Sequence, residues 1–426
     1  MPPGLQGVRA LFRLGQTGAD GEFPGTARPL YRQYAPQFTR ADQPSLHPRG
    51  RRGPAETMAG TGRQPDAGPM KEHIVVTGAS GLVGRALLRN YLGQGRPVIA
   101  LSRKPPMLPG LDPASHPLLS WHWGDVSLPR LGLAPETYAE VCAKAQIVFH
   151  LAARTDFKDG TAASYLPVNL EGVKHVLALA QEAKAPLHQV STAFVCGDWA
   201  GEFREGDLDL GQHFRNGYEE SKFLGESFLH GAMAAASVPI TIHRPGIVVE
   251  RNPSAASGKT FGPFLFLDAV ARMRDSAEAK GVAELPVLRV QGNRQAHLPL
   301  VFDDAVAEAL VRLAAQPESG GQVFQLVAPQ PVGNDLLEDA FNEAFGQPAA
   351  HLAGEEAFAH QPANSLEALL ARKTTPYAAY LDLSVRFTRR NLDTLAGAET
   401  LPTPKLAELT QAFRAFLAAR SQRSRA

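Results

Sequence analysis

Apolar and polar positions along this chain follow two periods, and each switch between them marks an element. Ile74-Val-Val-Thr77 is a short β-branched run, whereas Arg85-Ala-Leu-Leu-Arg-Asn-Tyr-Leu92 has its apolar positions at helical spacing. With Gly78, Gly81 and Gly84 lying between and beside them, the pattern predicts a strand, a tight turn and a helix. Strand-like runs recur at 97–104, 118–125, 145–153, 188–197 and 243–249, and helical spacing recurs at 168–180 and from Asn216 onward. Two amphipathic helices are expected at 335–346 and 402–419.

Composition changes this picture at one end of the chain. Residues 1–69 hold nine Arg, no Lys, five acids and a single Ser among many Pro and Gly, without sustained periodicity, and read as a disordered extension. A cleaved targeting segment fits its arginines but not its acids and prolines, so Met70 is the expected working start. The expected organisation is 1–69 as extension, 70–330 as the main domain and 331–426 as a C-terminal region. At 426 residues and 44% hydrophobic, the chain can bury a large core. Its formal charge of +1, without a basic stripe interleaved with aromatics, gives no case for nucleic acid. Two cysteines, Cys142 and Cys196, are too few for a disulfide framework, lack metal-ligand spacing and suit a reducing cytoplasm. No apolar run approaches the roughly 18 residues that span a bilayer, so any membrane contact is expected to be peripheral.

The candidate chemistry begins at the glycines. Gly78 permits the sharp turn, Gly81 lets backbone approach a pyrophosphate, and Gly84 lets the helix close on the strand. Ser80, Leu82 and Val83 complete this cradle, whose first-turn N–H groups and dipole favour an anion. A site for NAD usually places a carboxylate about 20 residues further on. Here that strand ends in Ser102, Arg103 and Lys104, which favours the 2′-phosphate of NADPH. Asp125, followed by Val126, is placed either to meet the adenine amino group or to cap a helix. Leu151, Ala152 and Ala153 end the next strand with small residues against which a cofactor can lie. His150, inside that apolar run, reads as a core histidine. Asn169 suits either a helix cap or the ordering of water. The strand over 188–197 delivers Ser191 and Thr192 to the carboxyl edge of the sheet. Tyr218 and Lys222 then stand four residues apart on one helix face, where the ammonium is expected to lower the phenol's pKa towards the working range.

Together, Thr77-Gly-Ala-Ser-Gly-Leu-Val-Gly84, Gly124-Asp125, His150-Leu-Ala-Ala153, Asn169, Ser191-Thr192 and Tyr218 with Lys222 resemble an extended or atypical short-chain dehydrogenase/reductase. Ser191-Thr-Ala-Phe-Val-Cys-Gly197 and His243-Arg-Pro-Gly-Ile-Val-Val249 are similar to the fatty acyl-CoA reductase and thioester reductase branch, the male-sterility type, and Leu298-Pro-Leu-Val-Phe302 with the residues after it resembles the strand and helix in which those enzymes complete the cofactor domain. Glu250, where that branch has a small residue, and the polar insert at 252–259 depart from it.

The resemblance implies an α/β fold, a Rossmann-type doubly wound, mostly parallel sheet with a smaller, largely helical C-terminal substrate region. It implies that Thr192 polarises the substrate carbonyl, Tyr218 handles its proton, and Lys222 holds the nicotinamide ribose. Pro245 joins the cofactor wall. The expected reaction is NADPH-dependent reduction of an acyl thioester, fatty acyl-CoA or carrier-bound, to aldehyde or alcohol, without a metal. A homodimer is compatible with this. Gly262-Pro-Phe-Leu-Phe-Leu-Asp-Ala-Val270 suits either an acyl channel or ordinary core. The alternatives are a nucleotide-sugar epimerase or dehydratase, a ketone or sterol reductase, and a non-catalytic NADPH sensor or scaffold.

Overall fold

A computed structural model describes residues 71–157, 161–254, 261–282 and 285–425. The expected extension over 1–69 and the expected start at Met70 lie outside them, as does most of the polar insert. Seven strands build the central sheet: β1 (His73–Thr77), β2 (Val98–Ser102), β3 (Leu119–Trp123), β4 (Ala145–His150), β5 (Leu187–Val190), β6 (Ile240–Pro245) and β7 (Val323–Leu326). Their order is β7-β6-β5-β4-β1-β2-β3, and every pairing is parallel. The order reverses direction beside β1, so β1 and β4 flank the crevice where such sheets bind ligands.

Helices supply the crossovers. α1 (Leu82–Gly93) joins β1 to β2, α2 (Pro135–Lys144) joins β3 to β4, α3 (Gly172–Glu182) joins β4 to β5, and α4 (Gly217–Met233) joins β5 to β6. Between β6 and β7 run α5 (Pro263–Glu278) and α6 (Asp303–Ala314); after β7 come α7 (Asn334–Phe345), α8 (Ser365–Ala378) and α9 (Leu406–Arg425).

Strand alternation sorts the core into two layers. Ile74 and Val76 of β1 and Val98 and Ala100 of β2 face Leu87, Leu88, Val306 and Leu310 of α1 and α6. Val75, Ile99 and Leu101 face Val141, Val176 and Leu229 of α2, α3 and α4. Burial on both faces explains why the strands read as continuous apolar runs.

A third cluster joins Phe264 and Leu267 of α5, Phe341 of α7, Leu370 of α8, and Leu409 and Phe413 of α9. Phe194 and Val249, just beyond the ends of β5 and β6, belong to it, which sets this region over the carboxyl edge of the sheet. Short strand pairs stitch it down: Val385–Phe387 beside Gly201–Phe203, and Leu300–Phe302 beside Ile247–Val249. The strand expected at 298–302 therefore lies outside the main sheet, whose last position goes to β7. Four residues, Val-Phe-Gln-Leu, are too few for periodicity to reveal. The helix expected at 402–419 occupies Leu406–Arg425 instead.

Candidate active site

The glycine turn is built as its sequence requires. Gly78 adopts φ +69°, and a Cβ there would lie 2.5 Å from the Ala152 nitrogen at the end of β4. A Cβ on Gly84 would come within 2.4 Å of the Gly78 carbonyl oxygen, whereas one on exposed Gly81 would meet only that oxygen, at 3.1 Å. Gly78 and Gly84 thus allow chain to touch chain, and Gly81 keeps the mouth of the turn open. The N–H groups that begin α1 have no partners within the helix. This donor set fits a pyrophosphate.

Arg85 adds a feature that motif spacing does not show. Its guanidinium donates to the Ser80 carbonyl at 3.1 Å and to the Glu250 carboxylate at 3.1 Å, and both side chains are buried. Glu250, the departure from the expected small residue, is thereby a brace on the glycine turn.

At the adenosine end, the Ser102 hydroxyl donates to the Lys104 carbonyl (2.6 Å) and accepts from the Trp121 indole (3.2 Å). Lys104 is exposed, and the Arg103 side chain, 69% exposed, stands 3.9 Å from Asp125. One Asp125 oxygen accepts from the backbone and hydroxyl of Ser127, so this carboxylate closes a turn. Burial pushes its pKa up, but the Ser127 hydrogen bonds and Arg103 leave it below the usual carboxylate range.

Asn169 neither caps a helix nor stands free for water. It lies in a π-turn, Pro167–Glu171, accepts from the Arg154 N–H (2.8 Å), and donates to the Arg154 carbonyl (3.0 Å) and the Ser221 hydroxyl (2.9 Å). It ties the exit of β4 to α4. Gly225 lets α4 close on this turn, since a Cβ there would sit 2.4 Å from the Asn169 carbonyl oxygen. His150 is a core residue: its Nδ1 pairs with the Thr77 hydroxyl at 2.7 Å, and burial holds its pKa down at about 3.

Ser191 and Thr192 part company. Ser191 turns inward and donates to Glu226 at 2.6 Å. Thr192 caps the short helical turn Ala193–Cys196, accepting from the Phe194 N–H at 3.3 Å, and its hydroxyl lies beside that of Tyr218, which is partly exposed. Asn216, the N-cap of α4, accepts from the Glu219 N–H at 3.0 Å and so fixes the turn that carries Tyr218. Lys222 is buried, with its Nζ donating to the Val190 carbonyl at 2.8 Å.

The expected depression of the Tyr218 pKa is not what the fold produces. Burial pushes the phenol up to about 12, against the Thr192 hydrogen bond that lowers it. The rings of Phe157, 5.4 Å away, and neighbouring Tyr377 wall it in, while the Lys222 ammonium is engaged by β5. Burial also lowers Lys222, to about 8.

Phe157, Tyr377 and Tyr380 were not legible as site residues. The Phe157 ring lies 4.9 Å from Tyr377 and 5.9 Å from Tyr380. Tyr377 rides on α8, which periodicity missed although its start carries a capping box, Asn364 with Glu367. Beyond this wall lies an apolar cavity of about 80 Å³, lined by Pro263, Phe266 and Val270 of α5, Leu337 and Phe341 of α7, and Tyr377 and Tyr380. Segment 262–270 thus lines this cavity with Pro263, Phe266 and Val270 and packs Phe264 and Leu267 into the core. Among the described residues there is no cluster of metal-ligating side chains, and no helix is long and apolar enough to cross a membrane.

The family described as male sterility protein matches residues 113–290. The match begins beyond the glycine turn, but the parallel sheet continues through it. Over 191 residues the chain is 32% identical to a polyketide synthase–nonribosomal peptide synthetase, ffsA, of Aspergillus flavipes; this covers 43% of the chain and only 5% of that protein. Among solved structures, the terminal R domain of the myxalamid PKS-NRPS biosynthetic pathway superposes with a TM-score of 0.64 at 22% identity, covering 83% of this chain and 92% of that one. A thiolation-reductase di-domain from an archaeal nonribosomal peptide synthetase gives 0.60 at 17%, covering 83% and 76%. The UDP-glucuronic acid 4-epimerase of Bacillus cereus, in complex with NAD, gives 0.58 at 16%, covering 82% and 99%. The chain therefore shares its fold with reductases and epimerases alike, and its side chains must discriminate between them.

Proposed function

We propose that this chain uses NADPH to reduce a carrier-bound acyl thioester to an aldehyde, releasing the carrier thiol. The observation that carries this reading is the Tyr218 hydroxyl beside that of Thr192, set against an aromatic wall with an apolar cavity behind it. In this reading residues 70–330 form the cofactor domain with substrate-site insertions, and 331–426 form the substrate cap. Gly78, Ser80, Gly81, Leu82, Val83 and Gly84 cradle the pyrophosphate. Asp125 and Val126 border the adenine. Leu151, Ala152, Ala153, Asn169 and Pro245 line the nicotinamide half, and Lys222 uses its remaining N–H donors on the ribose.

When bound, NADPH supplies the hydride. Thr192 and Tyr218 donate hydrogen bonds to the thioester oxygen as negative charge gathers there. The tetrahedral oxyanion then re-forms a carbonyl and expels the thiolate, for a net uptake of one hydride and one proton. In a second reduction, to the alcohol, the Tyr218 proton passes to the aldehyde oxygen. A phenol held up near 12 keeps that proton at neutral pH. Both cysteines are free and buried, which suits a reducing cytoplasm.

The test is NADPH consumption with acyl-CoA, carrier-bound acyl thioester, ketones and UDP-sugars, with free thiol measured in parallel. Thiol release matching NADPH loss is expected with thioesters. Turnover confined to ketones or sugars, or cofactor binding without turnover, overturns the proposal. Separately, Arg103→Ala is expected to weaken NADPH about tenfold, near the loss of one charge-assisted hydrogen bond, while NADH affinity stays unchanged. Equal losses for both cofactors in fluorescence titrations would remove Arg103 from the 2′-phosphate site.

A further inference from the structure

We propose that Tyr380 is a positioning residue that couples filling of the apolar cavity to the placement of Tyr218, an inference resting on the thioester reading above. The Tyr380 ring lines the cavity. Its hydroxyl faces the opposite way, donating to the Glu219 carboxylate at 2.6 Å and accepting from the Asn216 amide at 2.9 Å. These are the two residues that flank Tyr218 once Gly217 is passed, and they also close the cap of α4 on each other. One hydroxyl therefore grips the helix turn on both sides of Tyr218.

The ring side is equally connected. Phe157 contacts Tyr218 and Tyr380 at once, at 5.4 and 5.9 Å, and Phe194, two residues beyond Thr192, meets Tyr380 edge-on at 4.9 Å. The Tyr380 turn is anchored from the far wall of the cavity, where the Asn334 amide donates to the Leu381 carbonyl at 2.9 Å. Asn334 itself lines the cavity. An acyl chain that fills this space packs on Tyr380 and restrains its ring, and through its hydroxyl it restrains the start of α4. Binding energy from a remote part of the substrate then appears in turnover as well as affinity.

The test compares kcat and KM over short- to long-chain acyl thioesters for the full chain and for Tyr380→Phe, which keeps the ring and removes only the hydroxyl. In the wild type kcat should rise with chain length. In Tyr380→Phe the ratio of long-chain to short-chain kcat should fall about tenfold, the order of one hydrogen bond to a charged acceptor, with NADPH affinity unchanged. Glu219→Gln, which alters the acceptor in place, should flatten the series similarly and add little to Tyr380→Phe in the double variant. It serves as the second variant if Tyr380→Phe fails to fold. A variant losing the same factor on every chain length, or changing KM alone, overturns the coupling and leaves the thioester reading standing. A wild type that turns over no thioester overturns both.

Discussion

Replacing Tyr218 with phenylalanine is expected to cut turnover at least a hundredfold while leaving NADPH affinity within about twofold, the loss expected for one oxyanion donor. The substitution keeps the ring, and with it the contact to Phe157, so the cofactor side of the crevice should survive intact. Only the hydroxyl beside Thr192 is lost. Single-turnover measurement with a thioester, alongside cofactor titration, separates the two effects. Turnover within a few-fold of wild type would take Tyr218 out of the chemistry. The alkaline limb of activity should not follow Tyr218, whose phenol titrates near 12; it should begin near pH 8, where buried Lys222 gives up its ammonium proton as pH rises.

Glu226→Ala should be the most destabilising change near the site, by about 3–5 kcal/mol, because it leaves a buried guanidinium without its counter-charge. Arg244 and Glu226 are both fully buried and meet at 2.5 Å, and the same carboxylate accepts from Ser191 beside Thr192. Burial alone would push the Glu226 pKa up; Arg244 and His230 outweigh it and hold the carboxyl down at about 2. A carboxylate depressed in the folded state stabilises above its unfolded pKa, roughly 4.3, and loses that contribution as pH falls towards 2. The wild type should therefore shed stability over that window, and Glu226→Ala should lack this component. Denaturant melts at pH 7 and pH 3 measure both. A loss under 1 kcal/mol at pH 7 would mean that Arg244 finds other partners, among them the carbonyls of Glu205 and Asp207 that it already reaches.

What was legible in the sequence is what repeats or is spaced locally. The strands over Ile74–Phe149, the glycine turn and the Tyr218–Lys222 pair each fit within a few turns of chain, where periodicity and motif spacing have physical meaning. What was not legible depends on distant segments meeting. Glu250 looked like a defect in the family pattern until Arg85, far earlier in the chain, gave it a partner. Lys222, near in sequence, predicts a lower pKa for Tyr218, yet burial pushes it up, with Thr192 acting against that and Glu219 and Tyr377 adding to it. Ser191 and Thr192 are adjacent just beyond the end of β5, yet Ser191 turns to Glu226 while Thr192 stands beside Tyr218. β7 lacked the length to announce itself.

The pairing of Val385–Phe387 with Gly201–Phe203 has a consequence for how the protein comes into being on the ribosome. The sheet can begin to collapse once β1 to β6 have emerged, although α6, which covers β1 and β2, and β7 follow later. The aromatic wall cannot, because Tyr377, Tyr380 and the strand that pins them to Gly201 are among the later segments made. Loop closure over so many residues is slow and entropically costly, so this joint should be among the last to form. During that interval the glycine turn can stand complete while the apolar cavity above the sheet edge still lacks the wall made by Tyr377 and Tyr380.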